Sequence, residues 1–537
     1  MNVIIKILAA AVSAFLMWAA YPPHGETVNI AFALAPMLVI ARLSIPRRSA
    51  GWWALFGFAF WFATLSWMPA ICKNNGPWPL VALGWIGLSA VCAGYFALFG
   101  YLDARAWRRL EKMTRGQSVA RIVLLLLMEP ALWAGIEWLR GTLFSGFAWN
   151  FLGTAVGKIP SFATPARLGG VYFVSALVVM LNGVFATLIL RAISPMLRRE
   201  EACDDSRLKR RIFRTLETAL PLVAIWLSLE ASAMPRADRG KTSYLRVAMI
   251  QRNAPCVFTA RDQEDPLPPF FDLLDKAAVA KPDLVLLAES AFCEFGPVRS
   301  DRTCNTALHF SNRCAGAVVI GGGDDVVYSN GVRRVYNAAA CYCASASNAL
   351  VAVYHKQHLV PFGEYIFLDK WITPLQKLSP IGVSLYPGEG RLFEVEGMRI
   401  APLICFEDTI PDLARNAARA GADIIALITN DSWFSYSAEA EQHASQAVMR
   451  ALETGLPIVR TGNSGITGII LPSGRTRWLT DGNGRALVDQ SGCQVESVPV
   501  TRTMPPPLYV KLGDWPLLVV FVLSLLALLP TLKFRRS

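Results

Sequence analysis

Hydrophobic positions are distributed very unevenly along this 537-residue chain. Residues 1–235 form long apolar stretches, 245–500 alternate short apolar runs with charged and turn residues, and 513–537 is apolar again before a basic end. The candidate membrane spans are 3–20, 27–43, 51–71, 79–101, 121–139, 169–190, 212–232 and 515–532. Several of these eight approach the roughly 20 apolar residues that cross a bilayer core. The pattern therefore predicts about seven membrane helices, then a globular domain, then a last membrane helix with a basic tail.

The globular region, 245–500, alternates Val-, Ile- and Leu-rich runs with helical patterns. Strands are predicted at 245–250, 283–288, 317–322, 349–354, 398–404, 423–429, 457–461 and 466–471, and helices at 269–280, 411–420 and 438–454. Strands alternating with helices are typical of a layered α/β domain that carries its catalytic groups at strand ends.

Basic residues give an independent prediction of orientation, because Lys and Arg accumulate in cytoplasmic loops. They cluster after the second, fourth, sixth and eighth spans, whereas the other short loops carry only Lys73, Arg140, Lys158 and Arg167. Both chain termini are therefore expected inside the cell and the 245–500 domain outside it. Membrane orientation also accounts for the net charge of +12, so no nucleic-acid partner is predicted.

Eight of the eleven cysteines lie in the globular region, and they are Cys256, Cys293, Cys304, Cys314, Cys341, Cys343, Cys405 and Cys493. An oxidising compartment permits disulfides, and Cys304 with Cys314 or Cys341 with Cys343 are close enough in sequence to pair. The alternative is that most are buried free thiols, which pack as small apolar side chains. The sequence has neither a CxxC pair nor a His–Cys cluster, so no metal and no cofactor are predicted.

Three polar residues of complementary chemistry, Glu289, Lys356 and Cys405, follow predicted strands. A cysteine at a strand-to-helix turn is expected near a helix N-terminus, where the helix dipole lowers its pKa. A carboxylate can accept the thiol proton, and an ammonium together with backbone N–H groups can stabilise an oxyanion. The three residues are therefore sufficient for acyl transfer through a thioester.

The local sequence around these residues resembles that of the nitrilase superfamily, in segments 288–290, 354–365, 404–407 and 429–434. The K-x-H-L-V-P-F-G-E-Y form that begins at Lys356, and the eight-span frame, resemble the apolipoprotein N-acyltransferase family. Segments 137–141, 146–150 and 169–172 of the membrane region are similar to that family too. The resemblance therefore covers nearly the whole chain.

The resemblance implies an αββα domain on the outer, periplasmic face of a bacterial inner membrane. By it, Glu289 is the general base, Lys356 stabilises the oxyanion and Cys405 is the nucleophile. Glu364 would hold the lysine and the incoming amine. The implied reaction moves the sn-1 acyl chain of a phospholipid, typically phosphatidylethanolamine, to Cys405 and then to the α-amine of a diacylglyceryl-cysteine at an apolipoprotein N-terminus. A monomer is expected.

Further residues near the implied site are expected to support it. Phe406, Glu407 and Asn430 fall in this group, with Asn430 fixing a turn rather than performing chemistry. Trp433 and Phe434 are candidates for contact with lipid or substrate, since aromatic side chains favour the bilayer interface; packing inside the domain is the alternative.

The sequence departs from the family pattern at a few positions. Phe406 stands where the family often has Tyr, Ile366 and Phe367 where it has Val-Pro, and Ser435 where Gly is common. These departures affect loop geometry and leave the three central residues in place. Glu129 lies within a predicted span, and an ionisable group there is a functional hypothesis without an assigned role.

Two other functions use the same features. In a membrane-tethered carbon–nitrogen hydrolase, or amidase, water rather than an amine would resolve the thioester. A catalytically idle relative would bind lipid or assist assembly of the cell envelope. Loss of one of the three central residues would indicate the second alternative, and all three are present.

Overall fold

The computed structural model describes residues 2–74, 76–113, 116–195, 207–233, 242–255, 267–366, 384–434, 437–502 and 505–529. The chain divides into two compact units: Met1–Ser66, Ala82–Met234 and Leu512–Ser537 form one, and Trp67–Val81 with Pro235–Lys511 form the other. The sequence assigned 67–81 to the membrane region. The structure groups it with the globular unit. Cys256, Phe367, Ser435 and the basic tail lie outside the described residues.

The helices before the globular region are α1 (Val3–Ala20), α2 (Ala35–Leu43), α3 (Pro46–Thr64), α4 (Trp78–Glu111), α5 (Gln117–Val123), α6 (Glu129–Thr142), α7 (Pro160–Ala163), α8 (Ala166–Ile193) and α9 (Arg207–Ala233). Six helical stretches of the described residues are long and apolar enough to cross a membrane, and they are Val3–Ala20, Pro46–Lys73, Trp78–Glu111, Gln117–Ser145, Ala166–Ile193 and Arg211–Ala233. The chain is thus a multi-pass membrane protein.

The two remaining predicted spans correspond to shorter apolar helices, Thr27–Leu43 and Trp515–Leu528. The predicted total of eight membrane spans therefore stays a prediction. Arg42, near the end of the second predicted span, is a buried residue of α2 and not one of the basic loop residues after that span. Its Nη2 donates hydrogen bonds of 3.1 and 3.0 Å to Glu129, which begins α6 after a π-helical turn at Leu124–Met128.

The globular unit contains two six-stranded sheets, which surround one apolar core. The strands are β1 (Thr242–Gln251), β2 (Leu284–Leu287), β3 (Val318–Ser329), β4 (Val332–Tyr342), β5 (Leu350–His355), β6 (Phe393–Val395), β7 (Met398–Ile404), β8 (Ile424–Thr429), β9 (Ile458–Gly462), β10 (Gly468–Ile470), β11 (Thr476–Trp478) and β12 (Gly492–Thr501). Their spatial orders are β12-β1-β2-β3-β4-β5 and β11-β10-β9-β8-β7-β6. Strands β1–β2–β3 and β7–β8–β9 are parallel.

Side-chain alternation along the strands builds the layers, because successive side chains point to opposite faces. Val247 and Met249 of β1 pack with Ile400 and Ile404 of β7 in the core shared by the two sheets. The intervening Ala248 and Ile250 instead pack against the helices on the outer face. These helices are α10 (Leu267–Ala278) and α11 (Asp301–Arg313). The helices later in the chain are α12 (Pro411–Arg419), α13 (Glu439–Thr454), α14 (Leu508–Leu512) and α15 (Trp515–Leu528).

The αββα prediction is confirmed, and so is the presence of all eight predicted strands. The sequence missed β4, β6, β11, β12 and helix α11. Residues 338–340 of β4 are three alanines, which lack the β-branched character that marks a strand. The described cysteines are all free thiols, including Cys304, Cys314, Cys341 and Cys343, so neither considered disulfide is present among them.

Candidate active site

Glu289 lies two residues beyond β2, in a turn that packs closely on β3. The Gly322 N–H donates to the Ala288 carbonyl (3.1 Å), and the Phe292 N–H donates to the Gly322 carbonyl (2.8 Å). A Cβ atom at Gly322 would lie 2.7 Å from Cα of Glu289, closer than real Cβ contacts. Glycine at 322 therefore lets the turn that carries Glu289 rest on the sheet.

Lys356 follows β5 directly and is buried, with 1% of its surface exposed. Its Nζ donates to Oε1 of Glu364 at 3.0 Å and lies 3.8 Å from Oε1 of Glu289. The Val360 N–H donates to the other oxygen of Glu364 at 2.8 Å. Burial lowers the pKa of Lys356, but Glu364 and Glu289 raise it more, so the net pKa lies above its ordinary value. The side chain is therefore an ammonium.

Asn337 joins the two glutamates and was missed by the sequence analysis. Its Nδ2 donates to Oε1 of Glu289 and to Oε1 of Glu364, both at 2.7 Å. The antiparallel pairing of β4 with β5 places Ala338 opposite His355, and the Lys356 N–H donates to the Asn337 carbonyl at 2.8 Å. The strand register therefore brings Asn337 to the lysine. Because the sequence analysis did not predict β4, it could not place Asn337 in the site.

Cys405 follows β7 and begins a single 3-10 turn, Cys405–Thr409, which ends just before α12. Its φ of 53° is in the left-handed region, which a residue with a Cβ rarely adopts unless the surrounding structure enforces it. The residue as a whole is partly exposed, whereas its thiol group is buried. Such local strain is typical of functional sites.

The expected lowering of the Cys405 pKa was wrong. Burial and the Glu289 carboxylate raise the pKa of the Cys405 thiol well above its usual value, while Lys356 lowers it. Burial likewise raises the pKa of Glu289, against the opposing effect of Lys356. Before the reaction, Cys405 is therefore a thiol, and the nearby Glu289 carboxyl group has a raised proton affinity. The thiol proton must leave before the sulfur can attack.

Glu407 connects the chain after Lys356 to the turn that carries Cys405. Its Oε1 accepts from the Gln357 N–H (2.6 Å) and the His358 N–H (3.2 Å). Its Oε2 accepts from the Ile404 N–H and the Tyr354 hydroxyl, both at 2.8 Å. The carboxyl group is fully buried, so it fixes the two segments relative to each other.

Phe406 and Asn430, the other expected supporting residues, lie in the turns that follow β7 and β8 respectively. The Phe406 ring stacks on His358 with 5.9 Å between centroids. Oδ1 of Asn430 accepts from the Ser432 hydroxyl at 2.7 Å and from Nδ2 of Asn463 at 3.1 Å. These hydrogen bonds connect Asn430 to the turn after β8, and its supporting role stays a prediction.

Trp433 and Phe434 end this turn and are half-buried. The Phe434 ring packs edge-on against Trp67, with 4.8 Å between centroids. Trp67 in turn donates from Nε1 to Oε1 of Gln442 at 3.2 Å. Phe434 is therefore held by packing within the unit, and contact of either residue with lipid stays a prediction.

His443 of α13 is a second residue that the sequence analysis missed. The sulfur of Cys405, a carboxylate oxygen of Asp431 and a ring nitrogen of His443 lie within 4.8 Å of one another. The sequence had shown no His–Cys cluster, because these residues are far apart along the chain. Both imidazole nitrogens already hydrogen-bond to carboxylates, Nδ1 to Asp431 at 2.9 Å and Nε2 to Asp408 at 3.1 Å. The only sequence signal was the glutamate four residues earlier, Glu439, which places two polar groups on one helix face.

The chain is similar to known proteins over most of its length. The family model for the apolipoprotein N-acyltransferase N-terminal domain matches residues 13–184, and the carbon-nitrogen hydrolase model matches residues 246–492. An apolipoprotein N-acyltransferase of Geobacter metallireducens is 30% identical over 488 residues, covering 88% of this chain and 86% of that protein. One of Gloeobacter violaceus is 28% identical over 537 residues, covering 97% of this chain and 93% of that protein.

Among solved structures, an amidase from Nesterenkonia sp. AN1 is similar to this chain at 16% sequence identity and a TM-score of 0.35. The match covers 51% of this chain and 98% of the amidase.

Proposed function

Because the chain belongs to the apolipoprotein N-acyltransferase family, we propose that it transfers a phospholipid acyl chain to the N-terminal diacylglyceryl-cysteine of apolipoproteins. The transfer passes through a thioester on Cys405 and gives the triacylated lipoprotein. The observation that carries this proposal is the hydrogen-bonded group Glu289–Asn337–Glu364–Lys356, whose charges act on the thiol of Cys405.

In the first half-reaction, Cys405 attacks the sn-1 ester carbonyl of the phospholipid. Glu289 accepts the thiol proton, and its raised pKa suits a group that must take up a proton and return it. The Lys356 ammonium stabilises the oxyanion, since it remains charged among its carboxylate neighbours. The C–O bond then breaks, Glu289 protonates the leaving alkoxide, and a lysophospholipid departs.

In the second half-reaction, the α-amine of the diacylglyceryl-cysteine attacks the thioester carbonyl. Glu289 takes a proton from the amine, and the C–S bond breaks to release the Cys405 thiolate. Glu289 then passes that proton to the thiolate, which becomes the thiol again. The products are the amide and the free enzyme. Glu364 keeps Lys356 in position through both half-reactions, because it holds the ammonium directly.

The membrane helices give this chemistry a physical advantage. Phospholipid and diacylglyceryl-cysteine are both anchored in a bilayer, so a tethered enzyme finds them by lateral search at high effective concentration. In this proposal the membrane is a bacterial inner membrane, as expected for the family, and the clustering of basic residues supports an orientation with the globular unit in the periplasm. The donor in this proposal is phosphatidylethanolamine, and the enzyme acts as a monomer.

Intact mass spectrometry of the full-length protein tests the mechanism. The native chain and the Cys405→Ala variant are incubated with phosphatidylethanolamine vesicles, and a diacylglyceryl-cysteine peptide is then added. The expected result is a fatty-acyl mass increment on the native chain alone, discharged by the peptide. An unmodified native chain would contradict the thioester, and discharge by water at the same rate without peptide would instead identify a hydrolase.

A further inference from the structure

Buried charged side chains form a connected network beside Cys405, outside the Glu289–Lys356 group. His443 occupies its centre, bonded to Asp431 and Asp408, with Oε1 of Glu439 at 3.5 Å from Nδ1. Nη2 of Arg460 donates to the second oxygen of Asp431 at 3.1 Å. Each of the five side chains is at least nine-tenths buried. Water and salt therefore screen the interactions between these charges only weakly.

The network reaches the nucleophile through Asp431. Cys405 Sγ, an Asp431 carboxylate oxygen and an imidazole nitrogen of His443 lie within 4.8 Å of one another. The Thr429 hydroxyl donates to Oδ1 of Asp431 at 2.8 Å. A Cβ atom at Gly465 would lie 1.8 Å from Oδ2 of Asp431, so the backbone closes the other side of this carboxylate and fixes its place.

The hydrogen bonds determine the charge of His443. A carboxylate can only accept, and a neutral imidazole carries one N–H, so bonding to Asp431 and Asp408 at once requires the imidazolium. Burial lowers the pKa of His443, but Asp408 and Asp431 raise it more, and the net pKa lies well above its usual value. Arg460 and Glu439 are the other charged groups that face the ring.

Asp431 by itself opposes ionisation of the nucleophile. Its carboxylate raises the pKa of the Cys405 thiol, as Glu289 does, because a second negative charge is unfavourable at this distance in a buried site. The imidazolium of His443 is a positive charge 2.9 Å from Asp431, and one of its ring nitrogens lies within 4.8 Å of the sulfur of Cys405. If that positive charge were removed, the negative charge of Asp431 would act on the sulfur of Cys405 with less compensation, and the pKa of the thiol would rise further.

We propose that His443 is a positioning residue for the acyl transfer: its imidazolium holds the Asp431 carboxylate by a hydrogen bond and offsets its charge at Cys405. The inference rests on the proposed function for the identity of Cys405 as the nucleophile. A purely structural role, in which the network only stabilises α13, predicts a loss of stability and leaves the ionisation of the thiol unchanged. A pH profile therefore separates the two roles.

The test is the rate at which iodoacetamide alkylates Cys405 in the full-length detergent-solubilised protein, followed by mass spectrometry of the peptide that contains this cysteine. The rate is measured against pH for the native chain, His443→Gln and the control Glu453→Gln. Glu453 lies on the same helix, is fully buried, and pairs with Arg450 at 2.7 Å. The control therefore removes a buried charge of α13 that does not bond to Asp431.

For His443→Gln, the midpoint of the alkylation profile is expected to move upward by about one pH unit, which slows alkylation near neutral pH about tenfold. The Glu453→Gln profile is expected to coincide with that of the native chain. A His443→Gln profile that also coincides with the native one, together with a lower melting temperature, would reduce His443 to a structural residue.

A second variant covers the case in which His443→Gln does not fold, since it leaves two carboxylates facing each other. His443→Gln combined with Asp408→Asn removes one carboxylate with the cation, keeps Asp431, and is expected to show the same upward shift. An unshifted midpoint in the double variant contradicts the proposal. Alkylation needs no lipid, so a shifted profile in a protein that forms no acyl-enzyme would refute the proposed function and support the placement of His443.

Discussion

The Nζ atom of Lys356 donates to Oε1 of Glu364 at 3.0 Å. Glu289 is farther from the ammonium, at 3.8 Å. In the resting site Glu364 is thus the nearer partner of the ammonium. This difference in distance supports the proposed division, in which Glu364 holds the lysine and Glu289 accepts the proton of Cys405.

Replacing Glu364 by Gln tests this division. The change removes a charge-assisted hydrogen bond, which contributes about 1.5–3 kcal/mol, so acyl-enzyme formation is expected to slow about ten- to hundredfold. The measurement is the initial rate of the acyl mass increment with phosphatidylethanolamine vesicles. The exposed Glu389 provides the matched control, Glu389→Gln, which is expected to keep the native rate. Equal rates for both variants would mean that Glu364 does not position the lysine.

Sequence alone located the strand ends and the three residues on them, because apolar runs that end in polar residues mark where a strand meets solvent or a site. Asn337 escaped detection for a different reason. It lies inside β4, and only the register between β4 and β5 places it beside Lys356. A contact fixed by strand register depends on residues that are distant in sequence, so no local pattern records it.

His443 escaped detection for a related reason. It lies on α13, far along the chain from Cys405, and meets it only because β7 and β8 are neighbours whose following turns carry Asp408 and Asp431. The pKa of Cys405 was also mispredicted. Helix-dipole reasoning anticipated a lower pKa, whereas burial and the carboxylates of Glu289 and Asp431 raise it.

The titration of Glu407 gives a prediction for stability against pH. Burial raises the pKa of Glu407 from 4.5 to about 7, so the folded protein binds this proton more tightly than the unfolded chain does. The resulting stabilisation is fully present below about pH 4.5 and is lost as the pH rises to about 7. Relative to Glu407→Gln, the native free energy of unfolding should therefore fall by about 3 kcal/mol across that window.

Chemical denaturation of both proteins at the two ends of this pH window measures the difference. Glu394 is exposed on β6, and Glu394→Gln is the control, which is expected to follow the native curve at both pH values. If the native chain and Glu407→Gln differed in free energy of unfolding by the same amount at both ends, Glu407 would not titrate with a raised pKa.

The buried ion pair between Arg42 and Glu129 gives a prediction for the membrane unit. Arg42 also donates to the Thr187 hydroxyl at 2.9 Å, so the ion pair belongs to a larger group of buried hydrogen bonds between the helices. Breaking such a pair leaves an uncompensated buried charge and costs about 3–5 kcal/mol. Arg42→Met and Glu129→Gln are each expected to lose stability in this range, and the double variant to lose much less than the sum.

Unfolding of the detergent-solubilised variants measures this coupling. Glu111→Gln is the control, because the Arg108–Glu111 pair has about a third of each side chain exposed, and partly solvated pairs contribute about 0–1 kcal/mol. Strictly additive losses in the Arg42 and Glu129 variants would show that the two side chains stabilise the helices independently.

Gly322 gives the last prediction, because it links the packing of the sheet to the chemistry of the site. A methyl group at this position would lie 2.7 Å from Cα of Glu289 and 2.9 Å from the Ser290 nitrogen. Those are backbone atoms, so the turn must move. A displacement of about 1 Å can cost about a hundredfold in rate, whereas overpacking costs about 1–3 kcal/mol in stability.

Gly322→Ala is therefore expected to remain folded and to lose about a hundredfold in acyl-enzyme formation. Gly482→Ala is the control in the same unit, since a Cβ there meets nothing within 4 Å, and it should keep the native rate and melting temperature. Melting curves recorded beside the rates separate misplacement from unfolding. If Gly322→Ala kept the native rate, the close approach of the turn to β3 would not be what positions the Glu289 carboxylate, and the hydrogen bond from Asn337 would have to hold it alone.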